Sequence, residues 1–382
     1  MKFAHMGDCH LGGWREPELR DLNFKSFQFA VEKCIKEKVE FILITGDLFD
    51  SAYPSIDILK EAFKEFRKIK EANIPVFIIA GSHDYSISGK TFLDVLEKAG
   101  FCENASKFEE RNNNIFLQPT IYKNFAIYGY PGKRSSLEVE DIKRIKLQDS
   151  PGLFKILMLH TAIKDAIGNL PIKSVDEKSL PKVDYLALSH LHINYNKEGR
   201  VYSGPIFPNE LNELEELKHG SFYIINDGKI SKQIIKLKEV LSINFEIKES
   251  KKSTDEIISL LMQNKIEDKI IILKLSGFIE DGGIGEIDFK KIEDFLKQNG
   301  AYLFLKSTSN LYSAEQEFNF GISSNEDIEE KIIENFFENN PDKLNNLSKE
   351  LIKVLQIEKM DDEAGMIFQD RLISEARKVL GL

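Results

Sequence analysis

The 382-residue chain is 42% hydrophobic and 30% charged, an ordinary globular composition that excludes disorder, and it is long enough for more than one hydrophobic core. Its formal net charge of -10 argues against a simple nucleic-acid binder, but residues from 313 onward hold 16 acidic and 8 basic side chains, leaving 46 acidic against 44 basic elsewhere. The acidity therefore belongs mostly to the last seventy residues, and the body can present a positive path to a phosphate backbone.

Short apolar runs alternate with helical spacing through the first two hundred residues. Phe3-Ala4-His5-Met6 precedes a helix carrying Phe24, Phe27, Val31 and Cys34. Phe41-Ile42-Leu43-Ile44 then leads to a helix with Leu59, Ala62, Phe63 and Phe66, and Val76-Phe77-Ile78-Ile79 follows. This alternation predicts α/β layering. Further strands are expected at Ile115–Leu117, Phe125–Tyr128, Lys155–Leu159, Tyr185–Leu188 and Arg200–Ser203, giving two sheets between helices. After about residue 230 a smaller α+β unit is expected, with strands at Ile243–Ile247, Ile270–Leu275 and Tyr302–Leu305, helices near Thr254–Met262 and Phe289–Gln298, and a glycine-rich turn at Gly282–Gly285. Beyond Ser309 the chain turns polar and then helical around Glu326–Phe337, Leu347–Ile357 and Gly365–Leu380. The expected domains are thus 1–230, 231–312 and 313–382. No stretch of about 20 apolar residues predicts a membrane span, and the amino terminus has no secretory-signal pattern. Cys9, Cys34 and Cys102 form no disulfide framework and fit a reducing, cytoplasmic setting.

Chemistry-bearing residues follow the apolar runs. They are Gly7-Asp8-Cys9-His10, Gly46-Asp47, Gly81-Ser82-His83-Asp84, His160 and His190-Leu191-His192, and they take in five of the seven histidines. Placed after strands, such side chains gather along one sheet rim, and the glycines permit tight strand-end turns. Each group alone is weak, since Asp-x-His arises often by chance. Together they predict a binuclear metal site of oxygen and imidazole donors, suited to manganese, iron or zinc and to phosphoryl hydrolysis. His5, inside the first strand, is expected to be an interior hydrogen-bonded residue behind the ligands. Cys9 is expected to point away from the metals, and His219 to be solvated.

These motifs resemble those of calcineurin-like metallophosphoesterases. The run Thr45-Gly46-Asp47-Leu48-Phe49-Asp50-Ser51 and the helical insert before Pro75 resemble the archaeal double-strand-break repair nucleases of the meiotic recombination eleven and SbcD type. The resemblance covers roughly residues 1–205. It implies a two-sheet sandwich flanked by helices, a smaller α+β capping domain that binds DNA, and a helical tail. It also implies two Mn2+ per subunit, one held by Asp8, His10 and His192, and a second by His160 and His190, with Asp47 bridging. His83 would face the phosphodiester and stabilise its charge or protonate the leaving oxygen, with Asp84 orienting it or a ligand. Ser82 stands where the family usually has an asparagine ligand, so weaker binding at the second position is expected. Asp50 stands where some members carry a histidine, and Ser189 where glycine is common.

Lys133 and Arg134, together with Lys197 and Arg200, are candidate phosphate-binding cations on rim loops. Ser203, in Ser203-Gly204-Pro205, resembles a substrate-side loop. Helices near 58–69 and 92–96 carry apolar positions beyond one packing stripe, and the resemblance implies a homodimer through them. It further implies an SMC-like coiled-coil ATPase as partner of the tail; the chain itself has no Gly-x-x-x-x-Gly-Lys-Ser/Thr loop. The expected activity is a manganese-dependent DNA nuclease with 3′-to-5′ exonuclease action on duplex ends and endonuclease action on single strands. A small-substrate phosphodiesterase and a weakly catalytic DNA-binding scaffold are the alternatives.

Overall fold

Two six-stranded sheets, each mixing parallel and antiparallel pairs, form the centre of the chain. The structure is a computed structural model that describes residues 1–85, 91–133, 136–168, 172–279, 283–313, 354, 371–375 and 377–378. In the first sheet the strands Lys2–Met6, Ile42–Ile44, Val76–Ile78 and Glu103–Asn104 run parallel, and the antiparallel hairpin Gly220–Asn226 and Lys229–Ile235 extends the edge beside Lys2–Met6. In the second, Phe125–Tyr130, Phe154–His160, Tyr185–Ser189 and Arg200–Ser203 are parallel, with Thr120–Tyr122 and Asn194–Lys197 antiparallel at the edges.

The two-residue period of a strand sorts these apolar runs onto both sheet faces. Phe3, Phe41, Leu43 and Phe77 turn inward to meet Phe125, Ile127, Ile156, Met158 and Tyr185 of the other sheet. Their neighbours Ala4, Met6, Ile42, Ile44 and Ile78 turn outward, against Phe27, Ala30 and Val31 of helix Pro17–Lys36 and Ala62, Phe66 and Ile69 of helix Ile56–Glu71. On the far side, Tyr128, Tyr130, Leu157, Leu159 and Leu188 pack on Val139 and Ile142 and on a three-stranded sheet carrying Ile115, Leu117 and Ile145. The Ile115–Leu117 run therefore belongs to this small outer sheet, paired with Phe108–Arg111 and Ile145–Leu147, rather than to either large one.

The α+β elements are a three-stranded sheet of Glu239–Glu246, Lys269–Ile279 and Leu303–Ser313 with helices Ser250–Met262 and Phe289–Gln298. Strand Leu303–Ser313 runs past Ser309, where the polar composition had suggested an end. The chain divides into two compact units: residues 1–246, 252–276 and 288–310, and residues 247–251, 277–287 and 311–382. Much of the α+β segment packs with the residues before 230, since Ile270 and Ile272 share one apolar cluster with Trp14, Leu19, Phe207 and Leu214. Lys274 also pairs with Glu215 at 2.7 Å. In the second unit, Ser250 Oγ donates to the Glu286 carboxylate at 2.5 Å beside a short 3-10 turn at Ile284–Glu286. The tail helices expected after 313 lie outside the described residues apart from a few positions, as do Gly282 of the expected turn and Arg134.

Phe41 is the aromatic hub between the sheets. It is fully buried, stacks on Phe3 at 4.9 Å, and meets Phe77, Tyr122 and Phe125 edge-on. Phe41→Ala is expected to cost about 3–5 kcal/mol, read as a lower midpoint in urea unfolding with an unchanged slope.

Candidate metal centre

Parallel strands from both sheets end at one rim, and each motif lies at its strand's end or within a few residues after it. Gly7 bridges to Pro205 and Leu11 to Phe49, which draws the first two strand-end loops together. Their amides interlock: Asp8 N–H donates to Gly46 O at 3.1 Å and His10 N–H to Asp47 O at 2.9 Å. Asp8, His10, Asp47, His190 and His192 all have positive φ, at 48°, 41°, 50°, 103° and 52°. These are backbone states that side-chain-bearing residues avoid without compensation. Gly81 supplies clearance that no other residue would leave, since a Cβ there would lie 2.2 Å from Asp47 Oδ1.

Ligand atoms of Asp8, His10 and His192 lie within 4.8 Å of one another, as do those of Asp8, Asp47 and His160. Asp47 Oδ2 stands between the groups, 3.7 Å from His10 Nε2 and 3.1 Å from His160 Nε2. Its Oδ1 accepts the His83 amide at 2.8 Å. Asp8 accepts the His190 amide at 3.0 Å on each oxygen, and the His190 ring lies 5.0 Å from that of His160. Ser82 Oγ is 3.5 Å from Asp47 Oδ2. His10, Asp50 and His83 also cluster, but hydrogen bonds account for that grouping. His10 Nδ1 is 3.1 Å from Asp50 Oδ1, and His83 Nδ1 donates to the Asp50 carbonyl at 2.9 Å.

The outer nitrogens decide what the inner ones can do. His10 Nδ1 faces Asp50, and His192 Nδ1 faces Glu213 Oε1 at 2.6 Å. Both carboxylates accept, so each ring keeps its proton on Nδ1 and turns an Nε2 lone pair inward. Those two Nε2 atoms are 3.0 Å apart, a confrontation that only a proton or a cation between them satisfies. His160 repeats the pattern: Nδ1 donates to Thr45 O at 3.1 Å beside Ser189 Oγ at 2.9 Å, and its buried Nε2 has no hydrogen-bond partner. That atom lies near Asp47 Oδ2 but is not aligned for a hydrogen bond, which suits a shared cation. The donor set fits two hard or borderline divalent cations.

Electrostatics point the same way. Burial disfavours the Asp47 carboxylate, yet His160, His10 and His83 outweigh it and hold its pKa well below the ordinary range. Burial lowers the His192 pKa, but Asp8 and Glu213 raise it to a net of about 9. Burial, with His160 nearby, lowers His190 to about 4, leaving it a neutral donor. The cage therefore attracts positive charge.

The remaining expected residues sit as follows. His83 is the open member, its side chain 48% exposed, with its ring edge-on to His10 at 4.8 Å. Asp84 is buried and does not orient His83. It accepts the amides of Gly81 at 2.9 Å and Phe49 at 3.3 Å, tying two strand-end loops together, and burial followed by repulsion from Asp47 raises it to about 6. Lys133 Nζ pairs with Asp141 at 2.5 Å, and Lys197 and Arg200 pair with Asp165 at 2.9 and 3.4 Å, so these rim cations are already partly neutralised. Ser203 is buried, with its Oγ donating to Gly204 O at 3.0 Å. Cys9 is fully buried and outside the ligand groupings. His219 is half-buried, its Nδ1 3.2 Å from the Gly220 carbonyl. Sequence reasoning missed Glu213 and Asn209, because contacts to the outer side of a ligand leave no strand-end signature.

His5 lies behind the cage, fully buried, with Nδ1 2.9 Å from Tyr185 Oη and Nε2 3.1 Å from Thr45 Oγ1, which donates onward to Met6 O at 3.2 Å. The Met6 carbonyl can only accept, so the chain of donors runs from Tyr185 through a neutral His5. Burial lowers the His5 pKa to about 3. Between pH about 6.5 and 3 the unfolded chain takes up a proton that the folded chain refuses, so stability is lost as pH falls through that window. His5→Gln, neutral throughout, is expected to flatten the stability–pH slope there by up to about 1.4 kcal/mol per pH unit, measured by urea unfolding across that range.

A family model described as calcineurin-like phosphoesterase matches residues 1–194. The DNA double-strand break repair protein Mre11 of Methanosarcina acetivorans is 25% identical over 319 residues, covering 79% of this chain and 49% of that protein. The corresponding protein of Methanocaldococcus jannaschii is 29% identical over 288 residues, covering 70% and 73%. The metallophosphoesterase YhaO of Bacillus subtilis is 26% identical over 260 residues, covering 63% and 61%. The chain spans about half the length of the Methanosarcina relative.

Proposed function

The chain belongs to the calcineurin-like phosphoesterase family, and from that premise we propose that it is a binuclear, manganese-dependent DNA nuclease, acting 3′-to-5′ on duplex ends and endonucleolytically on single strands. The observation that carries the reading is the half-exposed His83 imidazole set against a buried cage of carboxylates and inward-facing histidine nitrogens. The similarity to DNA repair proteins named Mre11 supports DNA as the substrate. When bound, the two cations would supply Lewis-acid stabilisation to the phosphodiester and make water acidic enough to attack near neutral pH. Asp8, His10 and His192 would hold one of them; His160, His190 and the shorter, weaker donor Ser82 would hold the other; and Asp47 would serve both.

His83 acts on the substrate side. Its Nδ1 proton is committed to the Asp50 carbonyl, so Nε2 is the atom presented outward. Protonated, Nε2–H stabilises charge on the phosphoryl oxygens and passes its proton to the leaving oxygen as the P–O bond breaks. A homodimer through the helices Ile56–Glu71 and Leu93–Lys98 is part of the proposal, supported by the exposed Tyr53, Ile56 and Val95. So is docking of an SMC-like ATPase by the carboxyl-terminal helices, which rests on the resemblance alone.

A second reading, hydrolysis of small phosphodiesters, has one observation in its favour: Lys133, Lys197 and Arg200 are each paired within the chain rather than free to grip a polymer. Cleavage of linear duplex and single-stranded DNA in manganese, beside a small aryl phosphodiester, separates the two. The nuclease reading expects turnover of DNA; cleavage of the small diester alone would replace it. His83→Ala is expected to lower kcat on DNA about 100-fold or more while manganese binding persists. Equal cleavage by the variant would remove His83 from the chemistry.

A further inference from the structure

We infer that Glu213 is a positioning residue for the metal position built from Asp8, His10 and His192, acting on His192 through the nitrogen that faces away from the cage; the inference rests on the binuclear reading above. Glu213 lies in the helix Leu211–Leu217 and is held by both carboxylate oxygens. Oε1 is 2.6 Å from His192 Nδ1, and Oε2 accepts the Asn209 amide at 2.8 Å. Asn209 reaches further: its Nδ2 donates at 3.1 Å to Asp50 Oδ1, the oxygen that also faces His10 Nδ1. The two imidazoles whose Nε2 atoms confront each other are thus gripped from behind by two carboxylates joined through Asn209. The fit is close, since a Cβ on Gly13 would lie 2.2 Å from Asn209 Oδ1 and 3.0 Å from Asp50 Oδ1.

The helix that carries Glu213 is fixed on its other side. Glu215 accepts Lys274 Nζ at 2.7 Å and Ser242 Oγ at 2.8 Å from the three-stranded sheet, and Leu214 packs in the cluster of Trp14, Ile270 and Ile272. Glu213 is therefore a rigid bracket between the α+β sheet and one ligand. A carboxylate in that place sets the tautomer, aims the ring and strengthens Nε2 as a donor, effects whose loss weakens metal binding by about 10–100-fold in comparable sites.

The test is manganese binding to the full chain, followed by calorimetric titration and by electron paramagnetic resonance of free Mn2+, independently of any cleavage. Glu213→Ala is expected to weaken one of the two Mn2+ dissociation constants by about tenfold or more and spare the other. In a His192→Ala background the same change is expected to add nothing, because the effect passes through that ring. Glu213→Gln keeps an acceptor for Nδ1–H without the charge; it is expected to give a smaller loss, and it serves where the alanine variant does not fold. A titration unchanged in both variants, or an undiminished loss in the His192→Ala background, would overturn the assignment. A parent chain that binds no manganese would instead overturn the metal-centre reading itself, and the inference with it.

Discussion

Asp47 is the constraint around which the rest of the rim is built. It is a buried carboxylate, and a buried charge persists only where other groups compensate it. Here the compensation comes from three directions: the His83 amide on one oxygen, His160 at 3.1 Å and His10 at 3.7 Å on the other. These partners come from the ends of three different strands or the loops that follow them, in both large sheets, so satisfying one charge requires the sheets to end in register. The aromatic layer around Phe41 performs that alignment from below, and Asp84 performs it from the side by holding two of the loops through their amides.

The cage is organised in two tiers. Inner nitrogens and oxygens converge on the space where cations fit, and an outer tier of acceptors fixes each histidine's tautomer. The outer acceptors differ in kind: carboxylates from Asp50 and Glu213 behind His10 and His192, but a backbone carbonyl and a serine hydroxyl behind His160. Anionic acceptors strengthen a ligand more than neutral ones do. The asymmetry suggested by Ser82 standing in for an amide therefore has a counterpart in the outer tier. Both features favour tighter binding at the position that contains His10 and His192.

The inner tier was legible in the sequence, and the outer tier largely was not. Asp8, His10, Asp47, His160 and His192 follow apolar runs, Asp8 and Asp47 with a glycine just before them, and strand geometry alone brings such residues to one rim. The alternation that sends Phe3 inward and Ala4 outward is likewise local. Glu213 escaped notice because its helix is short and its partner His192 precedes it by a loop and a strand pair. For Asp84 the sequence left two partners open, His83 or a ligand, and adjacency alone could not show that its carboxylate accepts the amides of Gly81 and Phe49. Lys133, Lys197 and Arg200 looked available because the acids that pair with them, Asp141 and Asp165, lie at other places in the chain. The fusion of the α+β sheet with the main body was hidden for the same reason: it depends on Trp14 meeting Ile270 and Ile272 across most of the sequence.

The left-handed backbone at Asp8, His10, Asp47, His190 and His192 sets the molecule's robustness against its purpose. Each such residue works against the fold by on the order of 1 kcal/mol, a burden that glycine would lift at the same five places. The same side chains hold the loops that strain them, since Asp8 accepts the His190 amide and Asp47 the His83 amide. Glycine at those places would exchange backbone strain for unsatisfied amides and a freer unfolded chain, so the rim can be relaxed only by being dismantled.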